Sequence, residues 1–268
     1  ALVGLDLTGD ASLHVDVSGT ASEPELSAEL TATGGLLGLA DELTLRAAAA
    51  LTASAWRLGQ LDLRVGDSGI DGHFRVGPDT GELLGNLMVR VPDLAQFAVV
   101  MPSEWWPAGS LELNGSFTGD WSRPRLEAKL KGFDLSVIGQ QFSTLVARLV
   151  IDPGRVVLDD VDLRQGDGRL EATAQMTLTT GDYAVLLAGR GLRLAPWRVD
   201  EFGLQVFGAT VDLDLESRGS IGDPRGSIRL MVRDLVYRDY VIDRSEHVLT
   251  FDAGEWRLRS RAPTLAVE

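Results

Sequence analysis

The 268-residue chain contains no cysteine, which excludes disulfide staples and thiol chemistry and fits an oxidising compartment. It has no run of eighteen apolar residues, so no segment is long enough to cross a bilayer as a helix. No signal peptide is expected in it. Basic residues are also scarce, 25 against 39 acids, for a net charge of −14. The arginines are scattered and opposed by Asp or Glu, which excludes a nucleic-acid surface, because that needs clustered Lys and Arg. Aromatics make up 6%. Ala1 stands where an initiator methionine would, and RAPTLAVE at the other end stops in mid-pattern. We therefore expect a segment of something longer.

What the chain does have is a repeat. SEPELSAEL at 22–30 returns as SRPRLEAKL at 122–130 and more loosely as GDPRGSIRL at 222–230. Pro24, Pro124 and Pro224 keep an interval of one hundred residues, as do Gly19, Gly119 and Gly219. LDLRVGDSG at 61–69 overlays VDLRQGDGR at 161–169, and Gly81 and Arg90 overlay Gly181 and Arg190. This gapless offset implies repeat 1 over 1–108, repeat 2 over 109–207 and a partial repeat 3 over 208–268.

Within each copy apolar residues recur with period two, the signature of half-buried strands. Val211, Leu213 and Leu215 alternate with Asp212, Asp214 and Glu216, while Leu126, Ala128 and Leu130 alternate with Arg125, Glu127 and Lys129. DPG at 152–154, GDG at 166–168 and GPDTG at 77–81 separate the stripes at hairpin spacing. Six or seven antiparallel strands are expected per copy. One segment departs: Leu94, Phe97, Ala98 and Met101 fall at helical spacing, with Asp93 as N-cap and Pro102 as stop. A two-turn helix is expected there. The equivalent stretch at 194–202 is poorer, because Pro196 fits only a first turn.

A hundred-residue period is too long for one rung of a parallel β-helix or one propeller blade. Tandem closed sandwiches would need linkers, yet AGSLELNG at 108–115 enters the next meander directly. The remaining expectation is an all-β fold: one long, curved antiparallel sheet with short helical crossings, open as a groove with an apolar interior.

The stretches GSLELNGSFTGDWSRPRLEAKLKGFDLSVIG and VVLDDVDLRQGDGRLEATAQMTLTTGDYAVLLAGRGLRLA resemble the repeats of the TamB and AsmA-like family. The shared frame is a G-x-L-x-L-x-G strand, a G-x-x-x-x-P-x-L-x-A-x-L turn and strand, and a hairpin with paired glycines. The resemblance covers nearly the whole chain. It implies a periplasmic β-groove, in a full-length protein anchored in the inner membrane, that carries phospholipid passively toward the outer membrane. Its partners would be phospholipid acyl chains and, through regions outside this segment, an outer-membrane partner of the Omp85 type. The family's C-terminal partner-binding region has no counterpart here. The expected lining is Leu13, Val15, Leu26, Leu30, Leu45, Leu63, Phe74, Leu111, Leu113, Phe117, Leu126 and Leu130 in the first part of the chain. Leu145, Leu149, Leu163, Leu170, Met176, Val185, Leu187, Val211, Leu213, Leu215, Ile228 and Leu230 continue it.

No residues point to catalysis, and neither a metal nor another cofactor is expected. His14, His73 and His247 have no H-x-H or H-x-x-x-H companion and read as strand or surface histidines. Asp159, Asp160, Asp162 and Asp167 lack the spacing of a calcium loop. GDG and DSGIDG are turn chemistry, because no strand, Gly-rich loop and helix unit surrounds them. Trp105 and Trp106 either pack on the preceding helix or form a bulky rim that meets lipid headgroups. The alternative functions are a scaffold assisting outer-membrane barrel assembly by β-augmentation and an inert all-β spacer with a sealed core.

Overall fold

The computed structural model describes residues 7–20, 24–36, 42–52, 55–77, 80–96, 108–137, 140–194, 197–199, 204–206, 208–220, 222–237, 240–252 and 254–261. The period-two stripes form strands. The first six are β1 (Leu7–Gly19), β2 (Pro24–Leu36), β3 (Glu42–Thr52), β4 (Ala55–Val65), β5 (Ser68–Val76) and β6 (Leu83–Val91). Next come β7 (Ala108–Asp120), β8 (Arg123–Val137), β9 (Gln140–Asp152), β10 (Arg155–Gln165), β11 (Gly168–Thr177) and β12 (Asp182–Leu194). After the short β13 (Trp197–Val199) and β14 (Leu204–Val206) follow β15 (Ala209–Ser220), β16 (Asp223–Tyr237), β17 (Tyr240–Asp252) and β18 (Glu255–Arg261).

Sixteen of these strands make one open antiparallel sheet in chain order, β12 pairing directly with β15. β13 and β14 form a separate two-stranded sheet. The chain divides into two compact units, one of Ala1–Gly132 with Val150–Pro153, the other of Phe133–Leu149 with Gly154–Glu268. No helix among the described residues is long and apolar enough to cross a membrane.

Glycine makes the tight turns possible. Gly119, at the end of β7, has φ 102°, and a Cβ there would sit 2.9 Å from the Arg123 carbonyl oxygen. Only a residue without that carbon fits both the left-handed backbone and the close approach. Asp120 completes this turn, its Oδ1 accepting from the Ser122 backbone N–H at 2.8 Å and from the Ser122 hydroxyl at 2.6 Å. The turns expected at 152–154 and 166–168 join β9 to β10 and β10 to β11.

Three strands are bent by bulges. Between Leu58 and Leu61 on β4, and between Leu158 and Val161 on β10, two residues oppose one on the partner strand. Asp160 fills the second bulge at φ 52°, which a short polar side chain tolerates better than a β-branched one. On β12 a register shift separates Gly189 from Leu192.

The segment expected to be a two-turn helix begins as a 3₁₀ turn, Leu94–Gln96, whose Ala95 N–H donates to Asp93 Oδ1 at 2.9 Å. Asp93 is the expected cap. Phe97, Ala98, Met101 and the Trp105–Trp106 pair lie outside the described residues. In the 194–202 stretch, Trp197–Val199 pairs with Leu204–Val206 as a hairpin. The segments WRV and LQV suit strands, and a proline at 196 stops a helix from continuing through this stretch.

Candidate functional site: the apolar face of each unit

The register decides which side chains share a face, because a pleated strand sends successive residues to opposite sides. In the first unit, Leu13 pairs with Leu30, Leu30 with Ala47, Ala47 with Leu61, Leu61 with Gly72, Gly72 with Leu87 and Leu87 with Gly115. A parallel row runs Ala32, Leu45, Leu63, Ile70, Val89, Leu113. Leu26 lies on this face opposite Val17 and Leu51, Val15 opposite Ala28, and Leu111 opposite Val91. Phe74 and Phe117 flank Gly85 and meet edge to face, ring centres 5.2 Å apart. A Cβ on Gly115 would meet Leu126 and Ala128, so those two, and by alternation Leu130, lie on the same side.

In the second unit a row of aliphatic side chains runs Ala172, Leu187, Leu215, Ile228, Leu249, Leu258. Beside it run Leu163, Leu170, Gly189, Leu213, Leu230 and then His247 and Ser260. A third row comprises Leu192, Val211, Val232 and Ser245, and Val185 and Met176 lie on the same face. On β9, Leu145 and Leu149 alternate with Val146, which opens onto the charged side among Asp160, Asp162 and Glu171.

These side chains are mostly half-buried. Of the expected lining, only Leu126 and Val211 are buried, whereas Leu13 and Val15, on the edge strand, are exposed. Among the described residues Ala209, Val211 and Val232 form a small buried cluster, with Leu213, Leu230 and Leu235 against it. No large side chain among the described residues is fully enclosed.

Glycines on this face are covered by larger neighbours lying across them. Phe74 occupies the space a Cβ would need at Gly85, Leu126 does so at Gly115, Leu192 at Gly189 and Phe251 at Gly226. Phe251 in turn stacks on Trp256, ring centres 5.2 Å apart. On this face large side chains therefore fill the space left by neighbouring glycines.

The opposite face carries the charge. Arg64 bonds Asp62 and Asp71, each at 2.6 Å. Asp162 accepts from Arg164 and Arg169 at 3.0–3.1 Å, and Arg169 also reaches Glu171 at 2.8 Å. The hydrogen bond from Arg169, seconded by Arg164, holds the Asp162 carboxyl below its ordinary range against the opposing effect of burial. The same contact raises Arg169. Asp212 caps the β12 bulge, accepting from the Gly191 N–H at 2.7 Å and from Arg233 through both oxygens at 2.8 Å. No three acidic or histidine side chains among the described residues are grouped to hold a metal ion.

Sequence patterning missed the polar residues on the apolar face. Tyr183 and Ser217 are one pair, with their oxygens 3.0 Å apart, and Ser245, His247 and Ser260 form a second group. The signal was parity: in HVLTF, His247 shares its side of the strand with Leu249 and Phe251. Comparison with protein-family models, curated proteins and solved structures finds no match to this chain.

Proposed function

We propose that this chain is a segment of a TamB- or AsmA-like periplasmic conduit, in which the apolar face guides phospholipid acyl chains between membranes. The observation that carries this is the in-register run of aliphatic rows on one face of each unit, with arginine–carboxylate ladders on the other. A two-chain phospholipid has about 30 methylenes at ~0.8 kcal/mol each, so passage through water costs on the order of 20 kcal/mol. A continuous aliphatic surface removes most of that barrier without a specific contact. Sliding also needs a level path, and large side chains laid over glycines supply one.

The groove is built from hundred-residue repeats in this proposal. Features recurring at that spacing support it: bulges at Leu58/Leu61 and Leu158/Val161, left-handed Asp134 and Asp234, and left-handed Gly19, Gly119 and Gly219.

The test is lipid retention by the purified chain, read by native mass spectrometry. Diacyl lipid is expected on the unaltered protein. Leu215→Glu together with Ile228→Glu should lower retention at least tenfold while the β-sheet circular dichroism persists. Leu186→Glu, on the charged face, should leave retention unchanged. Equal retention by all three proteins would refute the conduit.

A second function, scaffolding of client strands, is favoured by the open edges. Among the described residues β1 bonds only to β2, and β18 only to β17. Leu13, Val15 and Val17 on one edge strand and Trp256 and Leu258 on the other are exposed. Proline at alternate positions of β18 would harm this role and spare lipid retention.

A further inference from the structure

Three polar side chains close two aliphatic rows of the second unit with one hydrogen-bonded chain. Ser245 Oγ lies 3.0 Å from His247 Nε2, and His247 Nδ1 lies 3.0 Å from Ser260 Oγ. Ser245 is 4% exposed and fixes the ring from beneath, whereas Ser260 is exposed. His247 stands between Leu230 on β16 and Ser260 on β18. The remaining neighbours on this face are Ile228, Val232, Leu249 and Leu258. The charged residues of these strands nearest the ring, Arg229, Arg233, Glu246, Arg259 and Arg261, alternate to the other side. The described carboxylates that share the ring's parity stand off from it: Asp243 lies four residues away on β17, beyond Ser245, and Asp234 four residues beyond Leu230 on β16.

An imidazole placed among aliphatic side chains needs its polar atoms satisfied, and here both are. When protonated, the ring donates from both nitrogens, so each serine oxygen accepts. The Ser260 hydroxyl is then free to point its own proton outward. A cation and an adjacent O–H donor make a site for an anionic oxygen. Alongside, Leu187, Leu215, Ile228, Leu249 and Leu258 form an unbroken row across five strands. Its length is about 19 Å at the usual strand spacing, the scale of one extended acyl chain.

We propose that Ser245, His247 and Ser260 form a phosphate station that takes the phosphodiester of a two-chain lipid, one tail of which lies in the adjoining aliphatic row. The assignment of the tail rests on the conduit function; the phosphate chemistry does not. Free phosphate offers similar oxygens, so the test separates the two sources.

The experiment follows the His247 ring resonances of the intact chain by NMR during titration with glycerophosphoglycerol, a tail-less phosphodiester, and with inorganic phosphate. Retention of dioleoylphosphatidylglycerol is compared with that of dioleoylglycerol, which has the same tails and no phosphate. Saturable shifts with the phosphodiester are expected. The phospholipid should be retained at least fivefold over dioleoylglycerol, and His247→Leu and Ser260→Ala should each erase that preference while still binding both lipids. Ring signals unmoved by either phosphate, or a His247→Leu variant with the full preference, would overturn the station and leave the conduit standing. Ring shifts without retention of either lipid would overturn the conduit and the headgroup assignment together. Tighter binding of inorganic phosphate than of the phosphodiester would reassign the site to free phosphate.

Discussion

Asp162 takes hydrogen bonds from Arg164 and Arg169 at once, and its proton affinity falls as a result. A carboxyl depressed in the folded state adds stability that is complete above its ordinary value of 3.8. That stability is lost as the pH drops below this value through the depressed one. Because the pair is solvent-screened, Asp162→Asn should cost about 1 kcal/mol or less at pH 7. The difference should shrink toward pH 3, as read from urea midpoints at the two pH values. An equal or larger deficit at pH 3 would mean that the carboxylate's charge is not what matters. At this scale much was legible beforehand. The parity of Leu213 and Leu215 against Asp212 and Asp214 assigns each side chain its face, and the register agrees. His247 was harder, since a lone histidine carries no spacing of its own. Only the strand pairing brings Ser245 and Ser260 to its two nitrogens.

Strands and turns were legible for a similar reason: alternation and Gly-rich turns are local signals, and a meander makes few demands beyond them. Bulges were not. An extra residue in β10 changes no composition and becomes visible only in the pairing of Leu158 and Val161 with β11. Asp160 sits in that bulge at φ 52°. Asp160→Val should therefore destabilise the chain by about 1–2 kcal/mol, since a β-branched side chain clashes in that conformation. Asp160→Gly should stay within about 0.5 kcal/mol of the parent. Chemical denaturation distinguishes them, and indifference to valine would place the bulge elsewhere in solution. Of the helical spacing at 94–101, residues 97–101 lie outside the described residues. Its described part is a single 3₁₀ turn, tied to β5 by the Gln96 amide donating to the Ser68 hydroxyl.

At the scale of the whole molecule, each strand of the main sheet pairs with its neighbours in that sheet, and among the described residues the two outermost strands have one partner each. Hydrogen exchange should report this directly. Amides of β18 that bond to β17 are expected to exchange at least tenfold faster than those between β15 and β16, where the buried cluster lies. Uniform protection from β15 to β18 would show that the edge is covered in solution.

The same neighbour-to-neighbour order has a consequence for how the molecule is made. A chain emerging residue by residue from a narrow exit needs no distant segment to complete a strand pair, apart from the excursions between β6 and β7 and between β12 and β15. Each hairpin can zip onto the one before as soon as it clears the opening, so the nascent protein adds finished structure at its growing end instead of waiting for its last residue.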